Sequence, residues 1–183
     1  PELVWPLLRL VMSGVLQRMT LWEAGFPRLA VASVLDRCPR EACGAGLRLL
    51  GEGQLSLTKF LNLTEGNLDV EDFPKLWKHV LERVDWGKDL CVFANVSQDT
   101  LDYTGPSVNK GSKAMLFGLG REPIRDLPET FTGSLPDSLT NPKVFLSGTL
   151  VVQGPDYEAD PELAKKTASW QGLADWPVVI LVD

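Results

Sequence analysis

Phe73, Leu76, Trp77, Val80, Leu81 and Val84 recur at spacings of three and four, which sets them along one side of an α-helix. Asp69, Glu71 and Asp72 come just before them, where the unpaired N–H groups and the positive end of the helix dipole favour carboxylates. A helix with one apolar stripe needs a surface to bury it, and the flanking runs supply one. Lys59–Thr64 alternates apolar and polar residues, and Asp89–Val96 is almost continuously apolar. The second pattern is that of a strand covered on both faces. Strand, helix and strand in that order predict a βαβ unit with a right-handed crossover.

The same reading extends along the chain. Leu3, Leu7 and Leu10 stand at helical spacing with Pro6 in the first turn, predicting a short helix over 1–12. Val15–Trp22 and Leu29–Leu35 flank Gly25 and Pro27 and predict a hairpin. A helix is expected over Pro39–Leu50, closing at Gly51 and Gly53. Ser97–Lys113 reads as a loop and Ala114–Leu119 as a strand. The four prolines and two glycines of 120–142 predict irregular chain. Val144–Val152 reads as one strand, Pro161–Gly172 as a helix and Pro177–Val182 as a final strand. This alternation places the chain in the α/β class, or in a mixed α+β one, with a partly parallel sheet flanked by helices.

With 183 residues, 44% of them hydrophobic, the chain is long enough to bury roughly 70% of its unfolded surface as a single domain over 1–183. Its apolar runs fall far short of the ~20 residues that cross a bilayer, so a soluble protein is expected. Eighteen Lys and Arg against 24 Asp and Glu leave a net charge of −6, which argues against nucleic-acid partners. Cys38, Cys43 and Cys91 lack CxxC spacing, and His79 is the one histidine, so no metal site is expected. The cysteines read as reduced, mostly buried thiols of a cytoplasmic protein. In that compartment the sequons at Asn62 and Asn95 are chance matches. The chain starts at Pro1 and stops after an apolar strand, so it is expected to be a piece of a longer polypeptide.

Candidate chemistry is sparse. Gly44-Ala-Gly46, Gly51-Glu-Gly53 and Gly118-Leu-Gly120 lack the third glycine of a dinucleotide loop. Lys110-Gly-Ser-Lys113 has no GxxxxG before it and no helix after it. Lys110 and Lys113 form either a solvated turn or a basic loop for an anionic ligand or partner. His79, beside Lys78 and off the main apolar stripe, is expected at the surface. No serine or cysteine carries the signature of an activated nucleophile. Trp5, Trp22, Trp77, Trp86, Trp170 and Trp176 suit a core or a protein interface.

Several segments nonetheless occur in a familiar order. They are Gly53-Gln-Leu-Ser-Leu-Thr-Lys-Phe-Leu61, Asn67-Leu-Asp-Val70, Val80-Leu-Glu-Arg-Val84, Lys88-Asp89 and Gly111-Ser-Lys113. In order and spacing they resemble the C-terminal part of the UbiD family, the 3-polyprenyl-4-hydroxybenzoate carboxy-lyases and their relatives. The resemblance covers residues 1–120, and 121–183 would complete the domain. Asn67 replaces the usual aspartate and Glu82 the usual threonine. Ala114-Met-Leu-Phe-Gly118 replaces Met-Gly-Ile-Asp-Ala-Thr, which marks a divergent branch.

The resemblance implies a parent enzyme with an N-terminal region, a central split barrel and this α/β domain. That parent would be a non-oxidative decarboxylase of aromatic or α,β-unsaturated acids, using prenylated FMN, a divalent metal (Mn) and potassium. Its Glu-Arg-Glu catalytic set and its cofactor ligands would lie in the first two parts, so no catalytic or metal residue is assigned here, and the piece alone would be inactive. The C-terminal domain would join subunits into a homo-oligomer and move to close the site. The loop near Asp99-Thr-Leu-Asp-Tyr-Thr104 would lend a lid, with Leu101 and Tyr103 facing substrate. A flavin prenyltransferase would supply the cofactor, and membrane association is expected solely for a polyprenylated substrate. Two other readings stand beside this one: a non-enzymatic interaction domain derived from the family, and a complete small-ligand-binding α/β protein using the Lys110–Lys113 loop.

Overall fold

The strand and helix runs assemble around two separate sheets. A computed structural model describes residues 15–21, 28–35, 41–65, 68–98, 100, 102, 105–120 and 122–183. The helix expected over 1–12, Cys38, Trp5 and Trp22 lie outside them. The chain divides into two compact units, Pro1–Ile124 and Arg125–Asp183. No helix among the described residues is long and apolar enough to cross a membrane.

The first unit contains β1 (Leu16–Leu21), β2 (Leu29–Val34), α1 (Glu41–Gly51), a 3-10 turn (Gly53–Leu57), β3 (Phe60–Glu65), α2 (Phe73–Arg83), α3 (Trp86–Asp89), β4 (Leu90–Val96) and β5 (Gly111–Gly118). Its sheet runs β1-β2-β3-β5-β4. β2, β3 and β5 are parallel, while β1 and β4 join the two sides antiparallel. The partly parallel sheet with helices is therefore as expected, and β1 with β2 forms the expected antiparallel pair.

Two helices cover the two faces. Ala42, Ala45, Leu49 and Leu50 of α1 pack with Ala30, Ala32, Leu61, Leu63, Met115 and Phe117. Gly46 leaves room for the Met115 sulfur, which a Cβ there would strike. On the opposite face α2 buries Leu76, Val80 and Leu81. It begins where the Asp72 carboxylate accepts the Lys75 N–H at 3.2 Å, with Pro74 in a first-turn position that has no N–H to satisfy. A Cβ at Gly118 would sit 2.6 Å from Val80 Cγ2 and 2.9 Å from Val80 Cα, so the absent side chain sets how closely helix and sheet approach.

The βαβ unit expected from Lys59–Thr64 and Asp89–Val96 is not formed by those two strands. β3 pairs with β5, and β4 lies at the edge, antiparallel to β5. It is exposed along one side, Leu90 at 39% and Val92 at 60%, because an edge strand has neighbours on one flank and α2 does not reach over it. A continuous apolar run looks alike in the two positions. The pairing slips between Phe93 and Val96, where Asn95 has φ +56°. Such a bulge blunts an open edge.

The second unit contains β6 (Thr140–Leu146), β7 (Thr149–Gln153), α4 (Leu163–Ala168), a 3-10 turn (Gln171–Leu173) and β8 (Val178–Val182). β7 is central, antiparallel to β6 and parallel to β8. Leu139, Leu150, Val152, Leu163, Leu173 and Trp176 form its core. The single strand expected over Val144–Val152 is instead a hairpin folded at Gly148, whose φ of +75° suits a residue without a side chain. The helix expected over Pro161–Gly172 is shorter, ending at Ala168 before the separate 3-10 turn.

Gly118→Ala is expected to destabilise the first unit by about 1–3 kcal/mol, because the new methyl meets the backbone of α2 as well as a side chain. Gly44→Ala, with nothing within 4 Å of the added Cβ, is expected to stabilise it by about 0.4–1 kcal/mol. Urea denaturation of the two variants measures both; equal midpoints would contradict the packing account.

Candidate functional site

The chain leaves β4 at Val96 and returns to β5 at Gly111, and this loop is fastened at its base. Gln98 N–H donates to the Asn109 carbonyl at 3.3 Å and Lys110 N–H to the Ser107 carbonyl at 3.1 Å. The Gln98 side-chain amide donates to the Ser112 carbonyl at 2.8 Å. Asn109 turns the chain with φ +61°, a conformation that asparagine tolerates better than most residues.

The loop is also tied to the sheet. Lys59, just before β3, donates from Nζ to the Asp102 carboxylate at 2.9 Å. The two side chains are 15% and 2% exposed. A carboxylate buried this far from water needs a cation and hydrogen bonds to remain charged. Lys59, Asn95, Ser97, Asn109, Lys110 and Ser112 line a cavity of about 560 Å³ at this place. Its described lining residues include two cations and no carboxylate.

Lys113 does not share this cavity. Because β5 begins at Gly111, strand alternation sends Lys113 to the α1 side together with Met115 and Phe117. Its ammonium donates to the Leu50 carbonyl at 3.2 Å and to the Ser56 carbonyl, and burial pushes its pKa below the usual lysine range. It lines a second cavity of about 350 Å³ with Leu47, Leu50, Leu57, Phe93 and Val96. The two lysines of the expected basic loop thus border different spaces. Leu101 and Tyr103 lie outside the described residues. Lys59 and Asp102 were not singled out by sequence; they are 43 residues apart, and no local periodicity joins them.

His79, expected at the surface, is half-buried in the α2–β5 contact. Its Nε2 is buried without a hydrogen-bond partner. Burial holds its pKa below the histidine value of 6.5, Arg83 adds to this, and Glu82 and the Gly118 backbone oppose it. Cys43 and Cys91 are free and half-buried. Among the described residues no group of three His, Cys, Asp or Glu side chains converges as a metal set.

The sequence pattern of the 3-octaprenyl-4-hydroxybenzoate carboxy-lyase C-terminal domain, UbiD_C, matches residues 2–117. The chain belongs to the UbiD family. It is 45% identical over its full length to an uncharacterised protein of Chlamydia trachomatis, covering 31% of that protein. It is 40% identical to a Chlamydia pneumoniae protein whose name makes it one of the subunits of a 4-hydroxybenzoate decarboxylase, and it covers 30% of that protein. The chain thus spans about a third of the curated relatives it matches. Its fold is similar to the closed form of the vanillic acid decarboxylase of Sedimentibacter hydroxybenzoicus, with a TM-score of 0.59 at 17% identity, over 91% of this chain and 31% of that one. A UbiD-class enzyme of Pelotomaculum thermopropionicum in complex with FMN gives 0.57 at 17%, over 73% and 28%.

A flavin phosphate requires several N–H donors or cations converging on one point. Among the described residues of this UbiD-family chain, Lys59 is engaged by Asp102 and Lys113 by two carbonyls, and these residues do not make such a cradle.

Asp102→Ala is expected to cost about 1–3 kcal/mol by removing the 2.9 Å ion pair with the half-buried Lys59, and to speed limited proteolysis between residues 97 and 110. Unchanged cleavage would show that the pair does not hold the loop. For His79 the unfolded chain takes up a proton near pH 6.5 while the folded chain resists it, so the unfolded state binds more protons below that pH. Stability should fall as pH drops through 6.5 and be unaffected above it. His79→Gln should flatten that step between about pH 7.5 and 5.5, as read from urea midpoints.

Proposed function

We propose that this chain is the C-terminal, subunit-joining and site-closing domain of a longer UbiD-type carboxy-lyase. The parent would decarboxylate an aromatic or α,β-unsaturated acid in the cytoplasm, using prenylated FMN delivered by a flavin prenyltransferase, with manganese and potassium. One observation carries the reading: the family pattern runs through residues 2–117, while this chain, matched along its whole length, covers 31% and 30% of two relatives. The cofactor and the Glu-Arg-Glu set belong, on this reading, to the N-terminal and central domains. The flavin would supply the electron sink for decarboxylation when bound.

What this chain contributes is placement. The Lys59–Asp102 pair fixes the middle of the 97–110 loop to the sheet, and its neighbours Leu101 and Tyr103 would lie over the substrate and exclude water. Closing motions of this kind can set the rate of an enzyme without supplying a reacting group. The exposed side of β4, with Leu90 and Val92, is apolar surface available for contact with a second protomer.

The intact polypeptide, produced together with a flavin prenyltransferase, should carry a flavin visible in its absorption spectrum and release carbon dioxide from an aromatic or acrylic acid. The excised 183-residue chain should be colourless and inactive. Tyr103→Ala in the intact enzyme should lower kcat/KM by about ten- to a hundredfold. A colourless intact polypeptide with no decarboxylation would favour the protein-interaction reading instead.

A further inference from the structure

β5 carries a lysine into the interior of the first unit, where no carboxylate among the described residues meets it. Lys113 is 7% exposed, and its ammonium donates to the carbonyls of Leu50 and Ser56, using two of the three protons it can give. Leu50 lies in the last turn of α1. A helix C-terminus answers roughly half of a positive charge, so the lysine is partly balanced by backbone. Burial is the cause that moves its pKa, downward, with no neighbouring acid raising it.

This cation borders the cavity of about 350 Å³ lined mainly by Leu47, Leu50, Leu57, Phe93 and Val96, with Ser56 and Ser97 beside them. Leu47 is 48% exposed, an apolar side chain held partly in water. Gln98, also lining the space, is pinned by its bond to the Ser112 carbonyl and gives that wall a fixed polar group. The volume lies at the small end of ligand pockets, roughly 300–1,000 Å³.

The occupant follows from these walls. A neutral apolar molecule would fill the space and leave the remaining N–H of a buried ammonium without an acceptor, which is costly. A dianion such as phosphate would bring a second charge against leucine and phenylalanine. A single carboxylate on an apolar body meets both conditions, accepting from Lys113 and laying hydrocarbon along Leu47, Leu57 and Phe93. We infer that this cavity is a binding site for a small apolar monocarboxylic acid seated on Lys113. It shares no lining residue with the Lys59–Lys110 cavity except Val96 and Ser97, and it does not depend on the decarboxylase reading.

Hydrogen exchange followed by mass spectrometry on the intact polypeptide tests it, with benzoate as the probe and benzyl alcohol as its uncharged counterpart. Any active site elsewhere in the polypeptide could also take benzoate, so the readout is confined to segments 47–57 and 93–98. Benzoate should slow exchange there in a saturable way, and benzyl alcohol at the same concentration should not. Lys113→Met should weaken the effect by about tenfold or more, the share expected of a charge-assisted hydrogen bond. Leu47→Trp, which fills the mouth and leaves the ammonium in place, should weaken it comparably, and decides the matter if Lys113→Met does not fold. Unchanged exchange with benzoate, equal protection by benzyl alcohol, or full protection in Leu47→Trp would each overturn the site.

Discussion

Six consecutive residues of β5, Lys113 to Gly118, hold the first unit together, because each side of that strand is committed to a different neighbour. Met115 lies under Gly46 of α1 and Gly118 lies against Val80 of α2, while the backbone pairs with β3 on one flank and β4 on the other. Lys113 adds a polar tie from the same strand to the ends of α1 and the 3-10 turn. The two glycines act on opposite faces. Each lets a helix approach closer than a side chain would allow, and close approach is what gives packed apolar surfaces their full dispersion contact.

The described residues of the loop between β4 and β5 are tied to this arrangement at several points. Its ends leave β4, whose Cys91 and Phe93 pack with the α1 core, and enter β5, which contacts both helices, and a buried ion pair ties Asp102 between them. The pair is a poor source of net stability, since desolvation offsets much of the attraction. Its effect is to select one loop position over the others. A loop held in one position in this way differs from an ordinary surface connection, which is usually the most mobile part of a fold.

The sequence was most legible where a pattern repeated. Spacing of three and four located α2 within a residue or two of Phe73–Arg83, and β-prone runs around Gly25 and Pro27 located β1 and β2. Patterns fail where two environments share one signature. The apolar run of β4 would suit a central strand equally well, and its place at the edge is fixed by β3 pairing with β5 instead. The hairpin at Gly148 interrupts a run that is apolar on both sides of the turn, and one glycine was too little to mark it. Lys113 was readable in principle: it alternates with Met115 and Phe117, but starting the strand at Ala114 left it in the loop. The tie between Lys59 and Asp102 has no sequence signature, since it is created by the return of a loop to the start of another strand. Family resemblance reached the same region by a different route, through the Thr-Lys-Phe and Gly-Ser-Lys segments, without saying what the lysines touch.

Those two lysines border cavities that meet at Val96 and Ser97, directly after the bulge at Asn95. The edge strand ends there and the loop begins. Its backbone is held at this point by Gln98, bonded both to Asn109 and to Ser112, so a shift of Val96 in response to one cavity must also alter the wall of the other. Interiors packed at crystal-like density transmit such shifts instead of absorbing them. The start of the loop therefore lies between two spaces, one beside Lys59 and Lys110 and the other beside Lys113 and its leucine wall.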